Sequence, residues 1–176
     1  GYRGDGLTNT YDVDPQTILD PDILGILDVN ASIKVSPSSF TNYGVTEFDY
    51  QIESIALGAS NTADAPYVKI HLNSLTCSNI RVKYNVKDIE NSPDNAIQQV
   101  ALHFRTGGTG NFINVAPAYI PDATLPNSAT LVTPVDVYLP DIADDQALLE
   151  IRIMTTNGID FDEWIGIDDI EISGTC

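Results

Sequence analysis

Apolar and polar residues alternate along most of the chain from residue 31 onward, and this pattern limits the possible folds more than any other feature. Successive side chains of a β-strand point to opposite faces, so each alternating segment predicts a strand with one buried and one solvated face. The residues predicted to face the core are Val68, Ile70, Leu72, Ile80, Val82, Tyr84, Val86, Val100, Leu102, Phe104, Val135, Val137, Leu139, Leu149, Ile151 and Ile153.

Short runs of glycine, proline, serine and asparagine separate these segments, and no helical period lies between them. About nine strands with polar outer faces predict an all-β fold, an antiparallel β-sandwich of the jelly-roll type. In such a sheet Ala101, His103 and Arg105 face solvent. The glycine-rich segment 106–112 joins two strands with no helix after it, which predicts a hairpin loop and not a phosphate-binding loop.

The alternation changes phase in two long segments. In 45–57 the apolar positions move from even to odd numbers near Glu53 and Ser54, and in 165–172 they shift at Asp168 and Asp169. A regular pleat would turn the second half of each segment outward, so a β-bulge is predicted at both places. The alternative is a strand buried on both faces.

The first thirty residues do not alternate. We interpret 1–30 as an N-terminal extension or assembly segment and 31–176 as the β-sandwich domain. Asp20 and Pro21 favour the start of a short helix. The alternative is an apolar strand from Ile23 to Val29, which packs either on its own domain or on the sheet edge of a neighbouring copy.

The chain is strongly acidic, with 8 basic and 25 acidic residues and a formal net charge of −17. Nucleic-acid affinity depends largely on Lys and Arg contacts to phosphates, so this charge argues against a nucleic-acid partner and against anionic membranes. The chain contains no run of 18 apolar residues, so no membrane-spanning segment is predicted.

Two cysteines, Cys77 and Cys176, lie far apart in the sequence and not in a metal-binding spacing. We predict a disulfide between them, which indicates an oxidising environment and an extracellular or cell-surface location. Two free thiols are the alternative. Asn30 begins an Asn-Ala-Ser glycosylation sequon.

Carboxylates are concentrated near the chain's end, around the single tryptophan, Trp164. Calcium binds six to eight oxygen ligands, so this cluster predicts a structural calcium site, although its spacing is not that of an EF-hand. A glycosidase acid/base pair and a solvated acidic strand end are the alternatives. The predicted ligands are Asp160, Asp162, Glu163, Asp168 and Asp169.

Nucleophilic catalysis is not indicated, because His71 and His103 both lie within strands and neither neighbours a nucleophile motif. The sequence therefore predicts a protein that is not an enzyme. Exposed rings would mark a glycan-binding surface, and the candidates are Tyr43, Tyr67, Tyr119 and Tyr138. Trp164 alternates with isoleucines and is predicted to be a core residue.

The segments "VKDIENSPDNAIQQVALHFRTGGTGNFINVAPAYIPDAT", "ATLVTPVDVYLPDIADDQALLEIRIMTTN" and "DEWIGIDDIEIS" resemble a module of secreted bacterial multidomain proteins, including extracellular nucleases and surface-anchored proteins. The resemblance runs from about Asn79 to Ser173. It implies a non-catalytic jelly-roll sandwich, and its last strand is similar to that of calcium-stabilised carbohydrate-binding and MAM-like sandwiches. It would make Asp168 and Asp169 the cation ligands. No nuclease motif is present.

These observations together predict a non-catalytic extracellular β-sandwich with a structural or adhesive role. One form of this hypothesis is a surface or filament subunit that assembles with copies of itself through the N-terminal segment. The alternative is a carbohydrate-binding accessory module of a secreted enzyme, with extracellular glycans as its partners.

Overall fold

The computed structural model describes most of the chain and defines ten strands within the described residues. Described are residues 1–8, 10–21, 30–34 (backbone only), 43–48, 53–61, 63–93, 96–159 and 162–176. The strands are β1 Asn30–Lys34, β2 Gly44–Phe48, β3 Ser54–Gly58, β4 Tyr67–Leu72, β5 Ser78–Asp88, β6 Val100–Thr106, β7 Ile113–Asn114, β8 Val132–Tyr138, β9 Leu149–Thr155 and β10 Ile165–Thr175. Among the same residues three short 3-10 helices cover Pro15–Thr17, Ala116–Ala118 and Asp141–Ala143.

The strands form two sheets around one apolar core. The six-stranded sheet has the order β1-β2-β3-β10-β5-β8, and the four-stranded sheet has the order β4-β9-β6-β7. Within the described residues all neighbouring strands are antiparallel except the parallel pair β1 and β2. The predicted all-β antiparallel sandwich is therefore confirmed. No helix among these residues has the length and apolar character needed to cross a bilayer.

Strands β5 and β8 follow the predicted alternation. Ile80, Val82, Tyr84 and Val86 of β5 are buried, and the basic and amide side chains between them lie on the other face. The glycine-rich loop joins the antiparallel strands β6 and β7, as predicted for a hairpin.

The four-stranded sheet departs from the prediction on its outer face. Ala101, His103 and Arg105 of β6 are buried and not exposed, and every residue of β9 is buried. The reason is that the N-terminal residues lie against this face: Tyr2 forms an antiparallel bridge with Tyr67, and apolar residues of the segment pack beside it. A period-two pattern shows which positions share a face, but not whether other parts of the chain cover that face.

The two phase changes have different structural causes. The segment 45–57 does not form one bulged strand: it contains β2 and β3, which pair as antiparallel neighbours without a shift of register. The prediction of a bulge at Glu53 and Ser54 is therefore wrong, because the change of parity comes from the chain reversing between two strands. In β10 the bulge is confirmed, since the register with β5 shifts between Asp168 and Glu171.

A disulfide joins Cys77 to Cys176 across a sequence separation of 99 residues, which confirms the predicted pairing. It lies where the end of β10 pairs with the start of β5. The predicted helix after Asp20 and the alternative strand Ile23 to Val29 fall largely on 22–29, outside the described residues. The division at residue 30 therefore stays a prediction.

Candidate functional site

The outer face of the six-stranded sheet is open where β10, β5 and β8 lie side by side. Basic and amide side chains project from β5, and acidic side chains from the two neighbouring strands meet them. Opposite charges on neighbouring strands, whether directly across from each other or on the diagonal, stabilise a sheet modestly. The pairs are Arg81 with Asp136 at 2.6 Å, Lys83 with Glu171 at 3.6 Å, Lys87 with Asp168, and Asn85 with Asp169 at 2.8 Å.

One end of this face forms an open groove of about 320 Å³. Its most prominent side chain is Tyr138, which is 61% exposed although it lies on a strand. The guanidinium of Arg81 lies 5.5 Å from the centre of the Tyr138 ring. The groove is lined by Asn79, Arg81, Tyr138, Ser173, Gly174 and Thr175.

Arg81 is held in place by a two-pronged contact. Its Nε donates a hydrogen bond to Oδ1 of Asp136 and its Nη2 donates one to Oδ2, each at 2.6 Å. Hydrogen bonding to Arg81 lowers the pKa of the Asp136 carboxyl below its ordinary value. The planar fork still has further N–H groups to donate, and the carboxylate has further lone pairs to accept. The groove thus combines a flat aromatic face with fixed hydrogen-bonding groups of both polarities.

The other candidate tyrosines are less suited to ligand contact. Tyr67 is buried, Tyr119 is half-buried with its hydroxyl bonded to Gln99, and Tyr43 stacks on Trp164 with ring centres 5.8 Å apart. Trp164 itself is buried among Phe48, Ala56 and Ile89, which confirms the predicted core role.

The predicted calcium ligands lie in two separate places. Asp168 and Asp169 belong to the outer face of the six-stranded sheet, where Lys87 and Asn85 bind them. Among the described residues no group of three or more acidic, histidine or cysteine side chains is arranged to hold a metal ion. Asp160 lies outside the described residues.

Asp162 and Glu163 lie before β10, near the loop that follows β5. Asp162 accepts a 2.6 Å hydrogen bond from the backbone N–H of Gly158, and burial raises its pKa to about 6. Glu163 is 1% exposed and contacts Ser92. Burial raises the pKa of Asp88 to about 7. The negative charges of Glu163 and Glu90 raise this pKa further, and two backbone N–H hydrogen bonds to the carboxylate partly oppose the increase. These groups form an acidic region apart from the groove.

The calcium site therefore stays a prediction, with a direct test. If calcium binds at Asp168 and Asp169, EDTA should lower the melting temperature by a few degrees, because a ligand that binds only the folded state stabilises it. Asp168→Ala should abolish that sensitivity. Asp136→Ala, which also removes a cation-paired carboxylate from the same sheet face, should leave it intact. A melting temperature unchanged by EDTA in the wild-type protein would rule the site out.

The sequence did not predict the buried charge cluster on the outer face of the four-stranded sheet. Glu150, 3% exposed, accepts a hydrogen bond from Arg105 and lies 3.6 Å from the Nζ of Lys69 and 3.3 Å from the Nδ1 of His71. One signal for such a covered face was present: the polar N-terminal segment carries scattered apolar residues that need a surface on which to pack. These are Tyr2, Leu7, Val13 and Ile18.

Comparison with known proteins supports the architecture. The chain is similar to a family 28 carbohydrate-binding module described as specific for non-crystalline cellulose, with a TM-score of 0.50 and 16% identity over 81% of this chain and 88% of that one. It is also similar to a family 61 module solved in complex with β-1,4-galactotriose, with a TM-score of 0.45 and 14% identity over 69% of this chain and 70% of that one. At these identities the likeness shows the fold alone.

No family model matches the sequence, and no curated protein matches it. The likeness to the family 28 module agrees with the β-sandwich fold that the resemblance described above implies. The nuclease-associated and MAM-like parts of that resemblance are not confirmed.

Proposed function

We propose that this protein is a non-catalytic, extracellular carbohydrate-binding module. The observation that carries the proposal is the open groove with the exposed Tyr138 on the uncovered face of the six-stranded sheet. The sandwich fold shared with a cellulose-specific module supports it, and the disulfide fits an oxidising environment.

The chemistry of the groove suits a sugar. A pyranose ring offers a face of C–H groups that packs on an aromatic ring, and its hydroxyls both donate and accept hydrogen bonds. Tyr138 supplies the ring, while the Arg81–Asp136 fork supplies donors and acceptors whose positions are fixed before binding. Binding groups that are already in place lose little conformational entropy when the ligand binds.

The charge of the groove favours a neutral polysaccharide. Its arginine is already paired with Asp136, and Glu171 of β10 adds negative charge to the same face. The chain as a whole carries a net charge of −17, so an acidic polysaccharide would be repelled at long range. Hydroxyl-rich neutral chains avoid that cost.

The hypothesis of a self-assembling surface or filament subunit gains no support from the comparisons, which favour the carbohydrate-binding alternative. Residues 1–8 and 10–18 also lie on their own domain.

Tyr138→Ala is expected to weaken binding to a neutral polysaccharide about tenfold, because it removes the stacking surface and its buried contact area. Tyr138→Phe is the matched control: it keeps the ring and should bind within about threefold of the wild type. Titration calorimetry against a soluble cellulose derivative and a β-1,4-galactan would measure both. If the wild type binds no neutral polysaccharide in a broad panel, the function is wrong. If the alanine variant binds like the wild type, the groove is not the site.

A further inference from the structure

The outer face of the four-stranded sheet is covered by the protein's own N-terminal segment. Tyr2 exchanges two backbone hydrogen bonds of 2.9 Å with Tyr67 of β4, and further along the backbone N–H of Asp12 donates to Asn157. At the far side of the sheet the N–H of Phe112 donates to the carbonyl of Leu19. The segment thus crosses the sheet from β4 towards β7.

The strongest contacts under the segment come from Arg152 of β9, which is fully buried. Its guanidinium donates to the carbonyl oxygens of Ile18 and Asp20 and lies 3.9 Å from the centre of the Phe112 ring. Its Nε donates to Nδ1 of His103 at 3.1 Å. Burial, together with the charge of Arg152, lowers the pKa of His103 to about 3, so the ring stays neutral and accepts this bond.

At the other end of the segment a tyrosine ring lies flat on the sheet. The rings of Tyr2 and Tyr67 stack with centres 4.8 Å apart and planes 10° from parallel, and Nζ of Lys69 lies 4.8 Å above the Tyr2 ring. Tyr2 thus contacts both an aromatic face and a cation.

The sheet face beneath the segment has the composition of a ligand-binding surface. It presents an aromatic ring and guanidinium and ammonium donors, where a core-facing layer would present aliphatic side chains. Burying charges costs several kcal/mol each unless good partners compensate. The segment supplies those partners as a stacked ring and carbonyl oxygens, and the face of a sugar ring and its hydroxyl oxygens offer the same two kinds of contact.

We propose that residues 1–8 and 10–20 act as an intramolecular strap over a second binding face for a neutral polysaccharide, formed by Tyr67, Lys69, Arg152 and the surrounding polar residues of the four-stranded sheet. When the strap lifts, Tyr67 becomes free to stack on a sugar ring in place of Tyr2, and Arg152 donates to sugar hydroxyls in place of the Ile18 and Asp20 carbonyls. This site is separate from the groove at Tyr138, on the opposite sheet.

The test uses the full chain with Tyr138→Ala, which weakens the first groove and is kept constant in every variant compared. In that background Tyr2→Ala should raise the affinity for a soluble cellulose derivative or a β-1,4-galactan about three- to tenfold, because the strap loses its stacking contact. Tyr2→Phe keeps the ring and should leave the affinity unchanged. Adding Tyr67→Ala to Tyr2→Ala should remove the gain.

Hydrogen exchange of the amides of Tyr2 and Asp12 reports strap opening independently of any sugar, and Val13→Asp is a second loosening variant. Faster exchange with tighter binding in either variant supports the proposal. Faster exchange with an unchanged polysaccharide affinity overturns the proposal. It is also overturned if both variants fold and neither exchanges these amides faster than the parent protein does. Because the groove variant is present throughout, these outcomes do not depend on whether the Tyr138 groove binds sugar.

Discussion

Glu150→Gln is expected to lower the free energy of unfolding by about 3–5 kcal/mol, the usual cost of leaving buried charges without their partner. The carboxylate is 3% exposed and accepts a hydrogen bond from Arg105, with Lys69 also within ion-pair distance. Glutamine keeps the shape but removes the negative charge, so two nearly buried cations lose their compensation. Chemical denaturation monitored by tryptophan fluorescence would measure the loss.

Asp136→Asn is the matched control, since it removes the carboxylate of an arginine pair on the exposed face of the other sheet. The Asp136 side chain is 48% exposed, so water screens the pair and the expected loss is much smaller than that of Glu150→Gln. Similar losses in the two variants would contradict a special role for the buried cluster.

The buried Glu150 also makes the stability depend on pH, and the direction of that dependence can be stated. Burial would raise the pKa of Glu150, but the hydrogen bond and charge of Arg105, with Lys69 and His71, outweigh burial and hold the pKa below its ordinary value. A carboxyl whose pKa is lowered by folding contributes stability above its unfolded pKa and loses that contribution as the pH falls through its folded pKa. Glu150→Gln should therefore reduce the loss of stability in acid below about pH 4.5.

Removing the disulfide by Cys77→Ser with Cys176→Ser is expected to cost about 2–5 kcal/mol. The bond closes a loop of 99 residues, so its loss frees the unfolded chain to adopt many more conformations. It also releases the end of β10, whose residues Ser173 to Thr175 line the groove beside Tyr138. Polysaccharide affinity should fall together with stability.

Reduction of the wild-type protein is the control, because it opens the same bond without changing the sequence. The reduced protein and the double serine variant should unfold at the same denaturant concentration, below that of the oxidised protein. An unchanged midpoint after complete reduction would show that the bond does not stabilise this fold.

The strands whose alternation was read correctly share one property: their outer faces meet solvent. In β5 the polar residues from Asn79 to Asn85, and in β8 those from Thr133 to Tyr138, remain at least partly accessible, so the pattern and the burial agree there. In β6 and β9 the same pattern occurs, yet Arg105 and Arg152 are buried. Gly110 and Phe112 of the loop after β6 lie against Arg105, and the N-terminal residues lie against Arg152. The covering segment has no alternation of its own, and its position depends on contacts more than 130 residues apart in sequence.

The candidate site was only partly predictable. Tyr138 was one of four tyrosines that the sequence offered as glycan-binding candidates without any order of preference. Only the structure places it beside Arg81 at the edge of an open face. The carboxylates near Trp164 form one cluster in the sequence, but the strand that carries Asp168 and Asp169 takes them away from Glu163 and into contact with Lys87 and Asn85.

The sequence by itself determined the strand-rich architecture and predicted the bulge in β10 and the disulfide. These follow from residue periodicity and from the number of cysteines, which are local or countable properties. The tertiary structure decided which sheet face is open and which is covered, and hence which tyrosine can meet a ligand. Burial depends on the packing of distant segments, and the sequence pattern of a strand is the same whether water or the chain's own N-terminal segment lies against it.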